Sequence, residues 1–186
     1  MIVLGIDPGY AIVGWGVLRY EGSRFSTIAY GAILTDADMD FSRRLEHIYD
    51  RMCAICAKYQ PDAVSVEQLF FTTNQKTAIK VAEARGVIML AVRKYEIPFF
   101  EYTPLQVKQS VVGYGKAIKS QVMEMTRQIL HLEKVPKPDD TADALAAVSY
   151  THLDVYKRQE AARESSTRIF RSGYFSRKAA APFKQE

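Results

Sequence analysis

A chain of 186 residues, 48% apolar and 25% charged, is long enough for one α/β domain with its own core and too short for two large lobes, and that balance excludes wholesale disorder. No run of about 18 apolar residues occurs and no signal-peptide pattern opens the chain, so a soluble, cytoplasmic protein is expected, and two cysteines fit that compartment. The formal net charge of +4 does not by itself argue for nucleic acid: residues 149–186 hold eight Lys/Arg and four Asp/Glu, which is the whole excess, and residues 1–148 are balanced.

In chain order, Ile2–Ile6 is a short apolar run closed by Asp7, and Ile12–Tyr20 and Phe25–Leu34 read as two further strands. The turns Asp7-Pro8-Gly9 and Glu21-Gly22-Ser23 join the three as an antiparallel meander. Phe41 to Tyr59 is an amphipathic helix with Leu45, Ile48, Tyr49, Met52, Cys56 and Tyr59 on its apolar face. Its Cys53 and Cys56 form a lone C-x-x-C with no second pair, and His47, His131 and His152 are scattered, so the cysteines read as core filler rather than a zinc or redox site. Ala63–Glu67 is a buried strand, and Asn74–Tyr95 a long helix. The apolar Ala78, Val81, Ala82, Val87, Ile88, Leu90 and Ala91 of that helix spread over more of its circumference than one core stripe needs. Pro98–Tyr102 supplies a fifth strand. Thr103 is an N-cap with Pro104 at N1, opening a short helix towards Val112 that Gly113-Tyr114-Gly115 breaks. A helix from Ile118 to Leu132 follows, and the last begins at Asp140. A meander followed by alternating helices and strands predicts a mixed five-stranded sheet with helices on both faces.

Four acids stand at the ends of these elements. Asp7 and Glu67 each close a buried strand, at the sheet edge where ligands bind in open α/β folds, and Asp140 and Asp143 are spaced i, i+3 on one helix face. Taken singly, all but Glu67 have a plainer reading at hand: Asp7 as part of a turn, and Asp139 to Asp143 as acids that complement a helix dipole. Glu67 has no such role in packing or capping. Clustered carboxylates repel and need cations, and hard oxygen donors favour Mg²⁺ or Mn²⁺; two such ions about 3.5–4 Å apart drive in-line displacement at phosphorus. The stretch from Lys76 to Lys119 holds eight basic residues, among them Lys80, Arg85, Lys108 and Lys119, against three acids. A basic surface beside an acidic cluster suits a phosphodiester substrate.

The local wording is then specific. Gly5-Ile6-Asp7-Pro8-Gly9, Val66-Glu67-Gln68, Ala84-Arg85-Gly86, Gln106-Val107-Lys108-Gln109, Val111-Val112-Gly113, Lys119-Ser120-Gln121-Val122 and Asp140-Thr141-Ala142-Asp143-Ala144-Leu145 resemble the RuvC family of Holliday junction resolvases, from Met1 to about Val148. The resemblance implies an RNase H-like fold and a homodimer that binds a four-way DNA junction and nicks two strands of like polarity, in recombination and repair. It implies Asp7, Glu67, Asp140 and Asp143 as catalytic acids holding two Mg²⁺ per subunit, with Mn²⁺ as an alternative. It further implies Lys119 and Lys108 near the scissile phosphate, Phe70 against unpaired bases, and a RuvA/RuvB-type branch-migration complex as partner. Lys80 and Arg85 join the basic set expected to meet DNA, Arg85 with the alternative of complementing local charge.

The resemblance stops where Ser149-Tyr150-Thr151-His152-Leu153-Asp154-Val155-Tyr156-Lys157-Arg158-Gln159 begins, a string that looks like translated sequencing-adaptor read-through. Residues 149–186 are expected to be a mobile, dispensable basic tail outside the nuclease domain of residues 1–148. Two other classes compete. Gly5-Ile6-Asp7-Pro8-Gly9 with Gly14 and Gly16 also resembles the phosphate hairpin of actin/hexokinase-type ATPases, against which the single-domain length argues. A non-catalytic DNA-binding relative is opposed by the intact acids.

Overall fold

Alternation along the first strand divides the whole molecule. In β1 (Ile2–Asp7) the side chains of Leu4 and Ile6 enter one core, while Val3, Gly5 and Asp7 belong to the other face. The computed structural model describes residues 1–22, 24–69 and 75–148. Phe70 and residues 149–186, two subjects of the sequence analysis, lie outside them.

β1 pairs antiparallel with β2 (Ile12–Glu21), and β2 with β3 (Arg24–Leu34), as the turns predict. Gly22 takes the left-handed φ of 62° that the β2–β3 turn requires. After α1 (Phe41–Tyr59), β4 (Ala63–Glu67) returns parallel beside β1; after α2 (Gln75–Lys94), β5 (Phe99–Tyr102) pairs parallel with β4. The sheet order is β3-β2-β1-β4-β5, mixed and five-stranded. Gly86 does not break α2, which runs through it.

Helices cover both faces. On one, Ile48 and Met52 of α1 and Ala84 and Ile88 of α2 close over Leu4, Ile6, Val13, Val17, Val64 and Val66. Each such side chain fully buried contributes roughly 1.5–3 kcal/mol of transfer free energy. Cys56 lies in this core with its thiol pushed up to about 11 by burial and, secondarily, by Cys53, so the pair is packing material rather than a reactive site. The other face carries α3 (Pro104–Val112), α4 (Lys119–Ile129) and a last helix, α5 (residues 139–148). There Val3 and Leu18 meet Leu130, Leu145 and Val148, and Tyr102, Val107, Val111 and Val122 meet Ala146 and Ala147.

Local chemistry sets the ends of these helices. Asp40 caps α1 by accepting the Ser42 N–H at 3.0 Å. Thr103 and Gln106 form a reciprocal capping box on α3, and Gly113, at φ 87°, ends it. α4 stops at Ile129, three residues before the expected Leu132: His131 turns left-handed at φ 52° and Leu132 N–H closes back on Arg127 O at 2.9 Å. Leu130 and Leu132 still pack into the core, so the apolar spacing outlasts the helix. Among the described residues no helix is long and apolar enough to cross a membrane.

Candidate active site

Parallel pairing brings the first two acids together. Ile6 is in register with Val66, so Asp7 and Glu67 are the next residues on adjacent strands, at the same level and on the same face. Glu67 is also in register with Tyr102, at the end of β5. On this face the sheet has a floor without side chains. Gly5 pairs with Gly16, and Gly14 pairs with Asp7 itself.

That floor admits α5 at backbone distance. A Cβ on Gly5 would collide with the Ala144 carbonyl, one on Gly14 with the Asp140 carbonyl, and one on Gly16 with the Leu145 side chain. The start of α5 therefore rests on the strand position opposite Asp7. Two hydrogen bonds fasten it: Thr141 Oγ1 donates to Gly31 O at 3.1 Å, and Ser65 Oγ of β4 donates to Ala147 O at 2.9 Å. Gly14 and Gly16, which resemble part of a phosphate hairpin in the sequence, are in this fold the seat of α5.

The four acids act on one another. Asp7 is pushed up to about 8, first by burial and then by Glu67, Asp143 and Asp140, with Lys119 pulling the other way. Glu67 is pushed up to about 7 by burial and then Asp143, opposed by Lys119 and Lys108. Asp143 is raised, again mainly by burial, with the Lys119 hydrogen bond opposing. Among the described residues, however, no group of three or more acid, histidine or cysteine side chains is placed to hold a metal ion as the side chains stand. The acids are electrostatic neighbours, and Asp143 is engaged by Lys119 at 2.9 Å. Their chemistry fits a divalent cation: hard oxygen donors, largely withdrawn from water, whose joint ionisation is unfavourable unless positive charge is supplied.

Two lysines face these acids. A cleft of about 220 Å³ is lined by Glu67, Lys108, Lys119 and Asp143, with Pro104, Val107 and Val122 as its apolar wall. Lys119, the first residue of α4, has its pKa raised: burial opposes, but the Asp143 hydrogen bond and the charges of Asp143, Asp139 and Asp140 prevail. Five sequence-predicted residues, Asp7, Glu67, Asp143, Lys108 and Lys119, thereby share one locality, and Asp140 joins them over Gly14.

Arg85 and Lys80 are placed elsewhere. Arg85 on α2 is ion-paired with Glu101 of β5, and burial lowers its pKa. Glu101 is in register with Val66, on the face opposite the four acids, so Arg85 ties α2 to the sheet and the charge-complementing alternative describes its contact. Lys80 lies over the rings of Tyr10 and Phe41 at 5.7 and 5.5 Å, a cation–π arrangement beside the turn that follows Asp7. Sequence reasoning missed the helix-seating role of Gly5, Gly14 and Gly16, whose periodicity in β1 and β2 was the available signal. It also gave Asp139 no role of its own, although Asp139 stands 3.8 Å from Lys119.

The family model described as crossover junction endodeoxyribonuclease RuvC matches residues 3–152. The crossover junction endodeoxyribonuclease RuvC of Alkaliphilus metalliredigens is 56% identical over 153 residues, 82% of this chain and 93% of that protein. Its counterpart in Ruminiclostridium cellulolyticum is 57% identical over 146 residues, 78% of this chain and 88% of that one. The solved structure of Thermus thermophilus RuvC in complex with Holliday junction substrate matches with a TM-score of 0.77 at 34% identity, over 81% of this chain and 92% of that chain.

Proposed function

This chain belongs to the RuvC family of crossover junction endodeoxyribonucleases, on an RNase H-like fold, and from that premise we propose that it resolves four-way DNA junctions by metal-dependent hydrolysis of two symmetry-related phosphodiesters. The observation that carries this reading is the convergence of Asp7, Glu67, Asp140 and Asp143 beside Lys119 and Lys108.

The four acids would hold two Mg²⁺ per subunit, with Mn²⁺ able to substitute. Bound there, such cations would supply Lewis-acid polarisation of the scissile phosphate, a lowered pKa for the attacking water and charge compensation at the leaving 3′ oxygen. The chain's own residues do the rest. Asp7 and Glu67 are held rigidly by strand register, so they fix where the phosphorus must sit. Lys119 and Lys108 supply positive charge on the helix side of the cleft, where the non-bridging oxygens of a phosphodiester would lie. Phe70, three residues past Glu67 in the sequence, is proposed as the ring on which a junction base stacks.

Two cuts of like polarity need two sites related by a two-fold axis, so the working unit is proposed to be a homodimer. Helix α2 supports this, because Ile79 (63% exposed) and Leu90 (61%) leave apolar surface uncovered on the side away from the core.

The test incubates the full chain with a synthetic four-way junction and Mg²⁺. Paired nicks at symmetric positions are expected, and Asp7→Asn and Asp140→Asn should abolish them while gel-shift affinity stays near wild type, because affinity rests on basic contacts to phosphate. Cleavage by either variant at near wild-type rate would sink the assignment of the acids.

A further inference from the structure

Lys119 stands between two carboxylates of one helix face. Its Nζ is 2.9 Å from Asp143 Oδ2 and 3.8 Å from Asp139 Oδ2, and Asp139 and Asp143 are spaced i, i+4 on α5. Asp139 is itself oriented by a third group, since Lys137 Nζ donates to its other oxygen, Oδ1, at 2.7 Å. The result is a chain of alternating charge, Lys137–Asp139–Lys119–Asp143, whose last two members line the cleft and which ends at a proposed metal ligand. Lys137 lies at the exposed end of this chain and Asp143 at the sheltered end, with side chains 73% and 21% exposed and Asp139 at 43%.

This geometry creates a competition. Asp143 is called on both by the Lys119 ammonium and, when loaded, by a cation. If Asp143 were the only partner of Lys119, every gain in coordination at Asp143 would strand the ammonium or drive it from the cleft. Asp139 removes that conflict, because an ammonium carries three donors and the second carboxylate is already beside it.

We propose that Asp139 is a positioning residue: it retains Lys119 at the cleft when Asp143 turns to a divalent cation, and so lowers the cost of loading the site. This rests on the reading that the four acids bind divalent cations, and it goes beyond that reading by giving a fifth carboxylate a role that touches neither metal nor substrate.

The experiment is a double-mutant cycle on metal binding rather than on cleavage, with Mn²⁺ alone added to the full-length, metal-stripped protein and free ion followed by electron paramagnetic resonance. Asp139→Asn should weaken Mn²⁺ affinity roughly two- to fivefold, the range an exposed ion pair carries. In a Lys119→Ala background the same change should leave affinity unaltered, since there is no ammonium left to retain. A mere loss of negative charge, or of a favourable acid at the start of a helix, would instead weaken binding equally in both backgrounds. Equal losses in the two backgrounds, or no loss with Lys119 present, would overturn the proposal while the metal-site reading stands. Failure of the wild-type protein to bind Mn²⁺ at all would overturn both.

Discussion

At Asp7 the proposed catalytic role and the stability of the fold pull in opposite directions. Its folded pKa, raised to about 8 by burial and by its acidic neighbours, exceeds the ordinary carboxylate value that applies when the chain is unfolded. The folded state therefore holds a proton that the unfolded state releases, so this residue's contribution is fully present below pH 4 and is lost as pH rises towards 8. In EDTA the protein should lose stability between pH 5 and pH 8.5, by on the order of 2 kcal/mol from this site after allowance for water at the cleft. Asp7→Asn should flatten that fall and melt higher than wild type at pH 8.5, while losing cleavage; thermal unfolding at the two pH values reads both. A variant that melts lower than wild type at pH 8.5 would show that the Asp7 charge is already neutralised in the metal-free fold. Protons and cations compete for these oxygens, so cleavage should rise with pH, and raising Mg²⁺ should shift that rise to lower pH. Lys119 belongs to the same locality and is proposed to act on a different step. Lys119→Ala should slow single-turnover cleavage roughly 10²-fold, as loss of one stabiliser of transition-state charge does, with little change in the salt dependence of binding. A loss confined to binding would move Lys119 out of the reacting centre.

The glycines of β1 and β2 make their case as a unit, because no one of them is in a turn and what they share is a helix laid directly on the sheet. Gly14→Ala should be the most damaging to function: the added methyl meets the Asp140 carbonyl and, at 2.8 Å, the Thr141 amide, so α5 must lift where it carries two acids. Overpacking of this kind costs about 1–3 kcal/mol, and the loss of Mn²⁺ affinity should exceed what that destabilisation alone predicts. Gly86→Ala, with nothing near its added methyl, is the control and should gain a few tenths to about 1 kcal/mol from helix propensity. Most of this architecture was legible beforehand. Apolar alternation ending in an acid marks β1 and β4, Thr103-Pro104 and Gly113 bracket α3 to the residue, and i, i+3 spacing places Asp140 and Asp143 on one face. What escaped depends on contacts distant in sequence: the seat of α5 on Gly5, Gly14 and Gly16, the pairing of Arg85 with Glu101, and the stacking of Lys80 on Tyr10 and Phe41. No local pattern encodes those partners, since a lysine on an exposed helix face reads the same whether it meets phosphate, a ring or water.

At the scale of the molecule, charge and chemistry are separable along the chain. Residues 149–186 carry the whole formal excess of +4 and none of the four acids. Their deletion should leave Mg²⁺-dependent junction cleavage intact and lower only the salt-sensitive, non-specific part of DNA affinity, which gel shifts at two salt concentrations would resolve. Lost cleavage in a truncated protein that keeps its circular dichroism spectrum would show that the tail supports α5 and the site. Sedimentation of the full chain at micromolar concentration should give a dimer, and Leu90→Lys on α2 should shift it towards monomer. The seating of α5 has a last consequence, in time rather than in space. Asp7 and Glu67 leave the ribosome early, whereas Asp140 and Asp143 come at the far end of the domain, on a helix that has no place to rest until β1 and β2 have paired beneath it. A nascent chain, or a fragment ending before residue 139, exposes a bare glycine groove and half of its acids. On the proposed assignment of the four acids, the nuclease would be born disarmed and would gain its capacity to cut DNA only once α5 has been synthesised and seated.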